Sequence, residues 1–296
     1  MIETPTLFVI GAGGSAAALY PTGEALTEKI LVDLRRGEIL HRKTLQAGFA
    51  EEQIEAFRSS LHDSSLNTID SFLELMPDFR GIGTFAIAAE LISNENEETL
   101  IALGRTSWYG KLRRVLGKGT EELHRSHVKF VTFNYDRSLE HFLFKAYSAV
   151  GVPNTEKLPH LMRNLGFIHM HGSLSPLPWW QKDASRPYAA TSDTAMILAS
   201  SKQIALAHES LSIDYAGLTI SQLIEEAQTI YFLGFGFAPE NMNKLGLGSF
   251  KGGPSNKSFG GTTLGLHPVR ISELEHSMGM ACFGNIDELF KHRFRA

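Results

Sequence analysis

An amide, a carboxylate, an imidazole and a glycine turn each follow a short apolar run in this chain. Val128-Lys129-Phe130-Val131-Thr132 leads into Phe133-Asn134-Tyr135-Asp136. Phe167-Ile168-His169-Met170 leads into His171-Gly172-Ser173, and Leu7-Phe8-Val9-Ile10 into Gly11-Ala12-Gly13-Gly14-Ser15. The runs read as buried strands of a parallel sheet. Asn, Asp and Gly are poor strand formers, so they mark where each strand ends. In such sheets the carboxyl ends of the strands display groups to a ligand. The set comprises a phosphate cradle, an amide that donates and accepts, a carboxylate and a proton acceptor near neutral pH. It suits the opening of a nucleotide's glycosidic bond.

Each element has a plainer reading as well. Gly11-Ala12-Gly13-Gly14-Ser15-Ala16 fits the G-x-G-x-x-G/A pattern after a strand, yet a tight turn without a ligand has the same look. The acid that a dehydrogenase places about 20 residues on has only Asp33 as a candidate. Asp33 sits in the helical stretch Ile30–Leu34, which disfavours hydride transfer. Asn134 and Asp136 suit the cap of a helix beginning near Ser138. His171 alone would be a hydrogen-bonded core residue. His169-x-His171 has metal-ligand spacing without clear further ligands, so a metal-dependent hydrolase ranks last.

These residues need a frame to hold them. Residues 6–10, 128–133, 166–170 and 229–233 are read as strands, with 262–266 and 280–283 as the last two. Gly234-Phe235-Gly236-Phe237 closes the fourth strand. Glu24–Arg36, Ser138–Val150, Thr219–Glu226 and Ile286–Phe294 have helical spacing. Between about 38 and 125 no strand is expected, and Glu51–Leu61, Thr68–Leu75, Gly83–Ile92 and Thr99–Leu116 suit helices. The expected fold is α/β: a Rossmann-like doubly wound parallel sheet with a helical insertion, approximately 38–125, after the first strand–helix unit. Residues 174–190, with Pro176, Pro178, Trp179, Trp180 and Pro187, read as a loop, as does the glycine-rich stretch 246–261. Either loop suits a contact or a lid as well as plain surface.

Bulk properties narrow the classes. The chain has 296 residues and a formal net charge of −4, which favours no direct binding of nucleic acid. Cys282 is the single cysteine; it excludes an internal disulfide and a four-cysteine zinc module. A cytoplasmic, reducing setting fits. The stretch Leu7–Tyr20 is broken by glycines, so no membrane span is expected. Glu3 and the lack of a preceding basic residue argue against a signal peptide.

Four blocks in order, Gly11-Ala12-Gly13-Gly14-Ser15, Thr132-Phe133-Asn134-Tyr135-Asp136, His171-Gly172-Ser173 and Gly234-Phe235-Gly236, resemble the sirtuin-like NAD-consuming family. They span about 225 residues. The Asn-Tyr-Asp form, with Ile69-Asp70-Ser71-Phe72-Leu73, looks most like prokaryotic sirtuin-like effectors of antiphage defence. The resemblance implies one NAD-binding domain over 1–296 and a metal-free NAD glycohydrolase that yields nicotinamide and ADP-ribose. Asn134 and His171 are then catalytic. The resemblance assigns Gly11, Ala12, Gly13 and Ser15 to the pyrophosphate and Asp136 to the nicotinamide pocket, with Phe133, Gly172 and Ser173 as further cofactor-binding residues. Gly234, Phe235 and Gly236 go to the adenosine half, with Asn241 a weaker candidate; Phe235 and Phe237 read equally well as plain core residues. It further implies abortive infection, a homo-oligomer, and a separate sensor or ATPase chain that restrains NAD loss.

The chain also departs from the family. The zinc-binding cysteines of protein-deacylating sirtuins are missing, so water replaces acyl-lysine as acceptor. Pro77-Asp78-Phe79-Arg80 matches a sirtuin cofactor-loop motif but lies some 60 residues farther from the glycine turn. It is read as coincidence, with Phe79 in the core and Arg80 at the surface. The alternatives are a non-catalytic NAD or ADP-ribose sensor and an ADP-ribosyltransferase.

Overall fold

Six strands lie side by side, all parallel: β1 (Thr6–Ile10), β2 (Val128–Thr132), β3 (Phe167–His169), β4 (Thr229–Leu233), β5 (Ser258–Thr262) and β6 (Ala281–Phe283). The computed structural model of the chain describes residues 2–150, 157–206, 219–248 and 257–294. The spatial order β3-β2-β1-β4-β5-β6 makes a Rossmann-like doubly wound sheet. From β1 the order runs one way to β2 and the other way to β4. At such a switch point the carboxyl ends of the strands open a crevice.

The strands are continuously apolar because both faces are covered. Phe8 and Ile10 point into one layer, with the long helical segment and the helix Ile286–Phe294. Leu7 and Val9 point into the other, with the helices Ile220–Glu226, Pro239–Lys244 and Pro268–Met278. On the first face Phe167, Phe130, Phe8 and Tyr231 stand in register across β3, β2, β1 and β4. Their rings stack at 4.7, 5.5 and 5.6 Å between centroids.

That row ends at Gly260 of β5, where a Cβ would lie 2.9 Å from the Tyr231 ring. A Cβ on Gly261 would lie 2.7 Å from Met280 Sδ. The glycines leave space for their neighbours inside a strand. The expected strand at 262–266 therefore lies earlier, at Ser258–Thr262, and the expected loop 246–261 ends sooner. Residues 249–256 of that stretch lie outside the described residues.

Among the described residues no strand occurs between β1 and β2. The helix Arg80–Ser93 is central there, buried from Ile82 through Ile92. The expected helix Thr99–Leu116 is two, Glu97–Thr106 and Trp108–Leu116, because the Ser107 side chain caps the second. Trp108 Nε1 donates to the Gly14 carbonyl at 2.9 Å and ties this layer to the glycine turn. The helices Ile39–Gln46, Thr120–Arg125, Leu158–Asn164, Thr194–Ser201, Pro239–Lys244 and Pro268–Met278 were not expected. Three of them start with proline in the first turn, where its missing N–H has no cost.

Residues 174–190 hold no helix or strand, as expected. Trp179 stacks on Phe144 at 4.6 Å and is partly buried, so this pair anchors the loop. No helix among the described residues is long and apolar enough to cross a membrane.

Candidate functional site

The turns after β1 and β4 are joined by backbone hydrogen bonds. Gly11 N–H donates to the Leu233 carbonyl at 3.0 Å, Gly13 N–H to the Gly234 carbonyl at 3.0 Å, and Gly14 N–H to the Gly11 carbonyl at 2.8 Å. A Cβ on Gly11 would sit 2.6 Å from the Gly234 carbonyl oxygen. Gly234 is left-handed (φ +57), and a Cβ there would sit 2.1 Å from Gly14 N. The glycines thus serve contact between two turns, and three turn amides are engaged by the protein itself. The sequence pattern had pointed those amides at an anion. Around the position of a Gly236 Cβ no atom of the described residues, its chain neighbours aside, lies within 4 Å, so among the described residues that turn borders open space.

Asn134, at the end of β2, reaches back to this turn. Its Nδ2 donates to the Gly11 carbonyl at 2.9 Å and to Ser15 Oγ at 2.8 Å. A carbonyl only accepts, so the nitrogen must be the atom facing Gly11. No described residue donates to Oδ1, which remains available as an acceptor. The main chain is held as well: Asn134 N–H donates to Thr132 Oγ1 at 3.0 Å, and His169 Nδ1 lies 2.9 Å from the Asn134 carbonyl. His169 Nε2 lies 3.2 Å from Glu140 Oε1.

Asp136 stands one residue before Arg137, the N-cap of the helix Ser138–Ser148, and its Oδ1 accepts from Ser138 N–H at 3.1 Å and from the Ser138 hydroxyl. Burial pushes its carboxyl above the usual range, against the Ser138 and Ser15 hydroxyls that hold it down. Neither residue expected as a cap is the N-cap, which is Arg137; Asp136 still accepts from the first helical N–H, and Asn134 does not. Tyr135 donates its phenol to Asp70, whose carboxyl burial also pushes up.

His171 is buried at 7% exposure. Its ring packs 5.4 Å from Phe133 and 6.2 Å from Tyr135. Burial and then the nearby Lys244 ammonium lower its pKa to about 4; the Asn241 side chain and the Ala205 backbone oppose this. The imidazole is neutral at pH 7. Its Nδ1 is buried without a hydrogen bond of good geometry. Gly172 is left-handed (φ +70) and lies against the Gln203 carbonyl, 1.9 Å from where a Cβ would be.

A cleft of about 70 Å³ is lined by Ala12, Ser15, Tyr20, Asp70, Phe133, Asn134 and Asp136, among others. His171, Gly172, Ser173, Gly234, Phe235, Gly236 and Asn241 do not line it. Phe133 joins the two groups: it lines the cleft, and its ring packs on His171 and at 5.1 Å on Phe235. Two larger cavities lie elsewhere. One of about 540 Å³ borders the amino ends of β1 and β2, near Thr6 and Val128. Another of about 840 Å³ lies by Phe142 and Arg105. Neither holds a strand-end residue of the candidate set.

Three supporting groups were not visible in the sequence. Arg137 is fully buried and pairs with Glu95 at 2.8 Å. It also donates to the carbonyls of Ser175 and Arg186 at 3.1 and 2.8 Å. Arg186 meets the same Glu95 at 2.6 Å. This triad ties the residue after Asp136 to the 174–190 loop. Arg80, expected at the surface, is half-buried and donates to the Ile204 carbonyl at 3.0 Å. Ile204 bridges Gly172 beside His171. Phe79 packs on Phe57 and Phe72, as expected of a core residue. His169 is engaged by Asn134 and Glu140, and among the described residues no group of three metal-ligating side chains is gathered. No protein-family model matches the chain, and a search of curated proteins finds no match.

Proposed function

We propose that the chain is a sirtuin-like NAD hydrolase that cleaves the nicotinamide–ribose bond with water as acceptor. One observation carries the reading. Asn134 is clamped through its amide nitrogen beside the sheet's switch point, with Oδ1 unengaged, and neutral His171 lies two residues past the end of the neighbouring strand.

The pyridinium of NAD already activates the glycosidic bond, so nicotinamide leaves neutral and no strong general acid is required. Asn134 Oδ1 accepts a hydrogen bond from the attacking water or from a ribose hydroxyl and so fixes its direction. His171, unprotonated at neutral pH, accepts the proton released as water adds to the ribose carbon. Its affinity for that proton is low in the ligand-free chain, and an anionic pyrophosphate close by raises it. NAD and water give nicotinamide, ADP-ribose and a proton. The cleft of about 70 Å³ is below the roughly 300 Å³ at which small-ligand sites begin. NAD binding in this reading therefore opens it, with Phe133 as the ring between its two halves.

The resemblance carries the wider part of the proposal: an abortive-infection effector, oligomeric and restrained by a separate sensor or ATPase chain. A second reading, an NAD or ADP-ribose sensor without turnover, draws on the narrow cleft and the weakly basic His171. The deciding measurement is nicotinamide release from NAD by the purified chain, alone and with the products of neighbouring genes. Release abolished in Asn134→Ala and His171→Ala supports hydrolysis; full release in both variants removes the assigned roles. Tight calorimetric NAD binding without product in any assembly supports the sensor.

A further inference from the structure

We propose that His169 and Glu140 form a positioning pair that sets the main chain of Asn134, with His169 held as an imidazolium between two acceptors. Nδ1 lies 2.9 Å from the Asn134 carbonyl oxygen, and Nε2 lies 3.2 and 3.3 Å from the two Glu140 carboxylate oxygens. A carbonyl and a carboxylate only accept, so both ring nitrogens must donate. The two side chains are 11% and 12% exposed, which keeps water from replacing either partner. Glu140 stands in the first turn of Ser138–Ser148, where the helix dipole favours a carboxylate.

Burial opposes the charged ring. The Glu140 carboxylate from the helix, the Asn134 carbonyl and the Asp136 carboxylate from the strand-end loop hold the proton on and outweigh it. The pair explains how Asn134 is held at every polar atom except Oδ1. Its N–H is on Thr132, its carbonyl on His169, and its Nδ2 on Gly11 and Ser15. A strand-end loop carrying a catalytic amide needs such support, because a shift of about 1 Å in a reacting group costs on the order of 100-fold in rate. His169 touches no reacting atom in this scheme and acts through Asn134.

The catalytic consequence rests on the NAD-hydrolase reading; the protonation state does not. The test uses the full chain. Imidazole nitrogen NMR, with His169 assigned from His169→Gln, is followed from pH 5 to pH 9. Two protonated ring nitrogens at pH 7 are expected. One unprotonated nitrogen at pH 7 overturns the pair.

Glu140→Gln is then compared with wild type. Its His169 should lose the proton at neutral pH, and the Asn134 side-chain amide resonances should move. NAD affinity should stay within about threefold while kcat falls about tenfold or more. An active wild type with unchanged kcat in folded Glu140→Gln overturns the positioning role. A wild type with no turnover in any assembly instead sinks the hydrolase reading. In that case the NMR titration and the Asn134 resonances still decide the pair.

Discussion

Asn134 Nδ2 lies 2.8 Å from Ser15 Oγ and 2.9 Å from the Gly11 carbonyl, so one amide sews the end of β2 to the turn after β1. Asn134→Asp is nearly isosteric but offers no donor to either atom. It leaves the Gly11 carbonyl without its partner and should cost about 1–3 kcal/mol of stability. Turnover of NAD should fall on the order of 100-fold or more, since both the acceptor's direction and the turn's position are lost. Chemical denaturation and nicotinamide release, measured on the same preparation, check the two parts. A variant as stable and active as wild type would mean that the clamp is incidental.

The glycines of the β4 turn separate packing from ligand space. Gly234→Ala forces a Cβ onto Gly14 N at 2.1 Å in a left-handed backbone and should lower stability by about 3 kcal/mol or more. Gly236→Ala meets open space and should change stability by less than about 0.5 kcal/mol. If the adenosine half of NAD approaches this turn, Gly236→Ala should still weaken NAD binding several-fold. Thermal unfolding with calorimetric titration of NAD reads both variants. A Gly236→Ala chain with unaltered affinity removes that turn from the ligand site.

The strand-end motifs were readable in sequence because residue types that end strands followed apolar runs. Phe133-Asn134-Tyr135-Asp136 and His171-Gly172 announce a sheet edge by composition alone. The support behind them was not readable, since its partners are remote. Arg137 and Glu95 are 42 residues apart, and His169 and Glu140 are 29 apart. No local pattern marks such pairs, and His169 looked like half of a metal-spaced doublet. The glycines of β5 misled in the other direction. Gly260 is a strand residue only because the Tyr231 ring on the next strand occupies its side-chain space. Likewise the glycines at Gly11 and Gly13 suggested an anion cradle, but packing against Gly234 accounts for them.

The buried triad makes a stability prediction independent of any ligand. Among the described residues Glu95 is the one carboxylate meeting the guanidinium groups of Arg137 and Arg186, and all three side chains are almost fully buried. Glu95→Gln leaves two buried positive charges facing a neutral amide. The expected loss is about 3–5 kcal/mol, with the 174–190 loop released first because Arg137 holds its carbonyls. Hydrogen exchange should show faster exchange in that loop, and urea unfolding a lower midpoint. Unchanged protection would mean that the Trp179–Phe144 stack holds the loop without the triad.

His171 and His169 predict opposite pH limbs. His171 has its pKa lowered to about 4 in the fold, against about 6.5 in the unfolded chain. Its contribution to stability is full above pH 6.5 and is lost as pH falls toward 4, because only the unfolded chain takes up the proton in that window. At pH 4.5 the loss should be about 2–3 kcal/mol. His169 has its pKa raised. Its contribution is full below pH 6.5 and disappears as pH rises through its folded pKa. Urea unfolding of wild type, His171→Asn and His169→Gln at pH 4.5, 7 and 9 separates the limbs. His171→Asn should lack the acid loss and His169→Gln the alkaline one. An acid loss undiminished in His171→Asn would show that this imidazole is not held neutral by its surroundings, and its role as the ready proton acceptor would go with it.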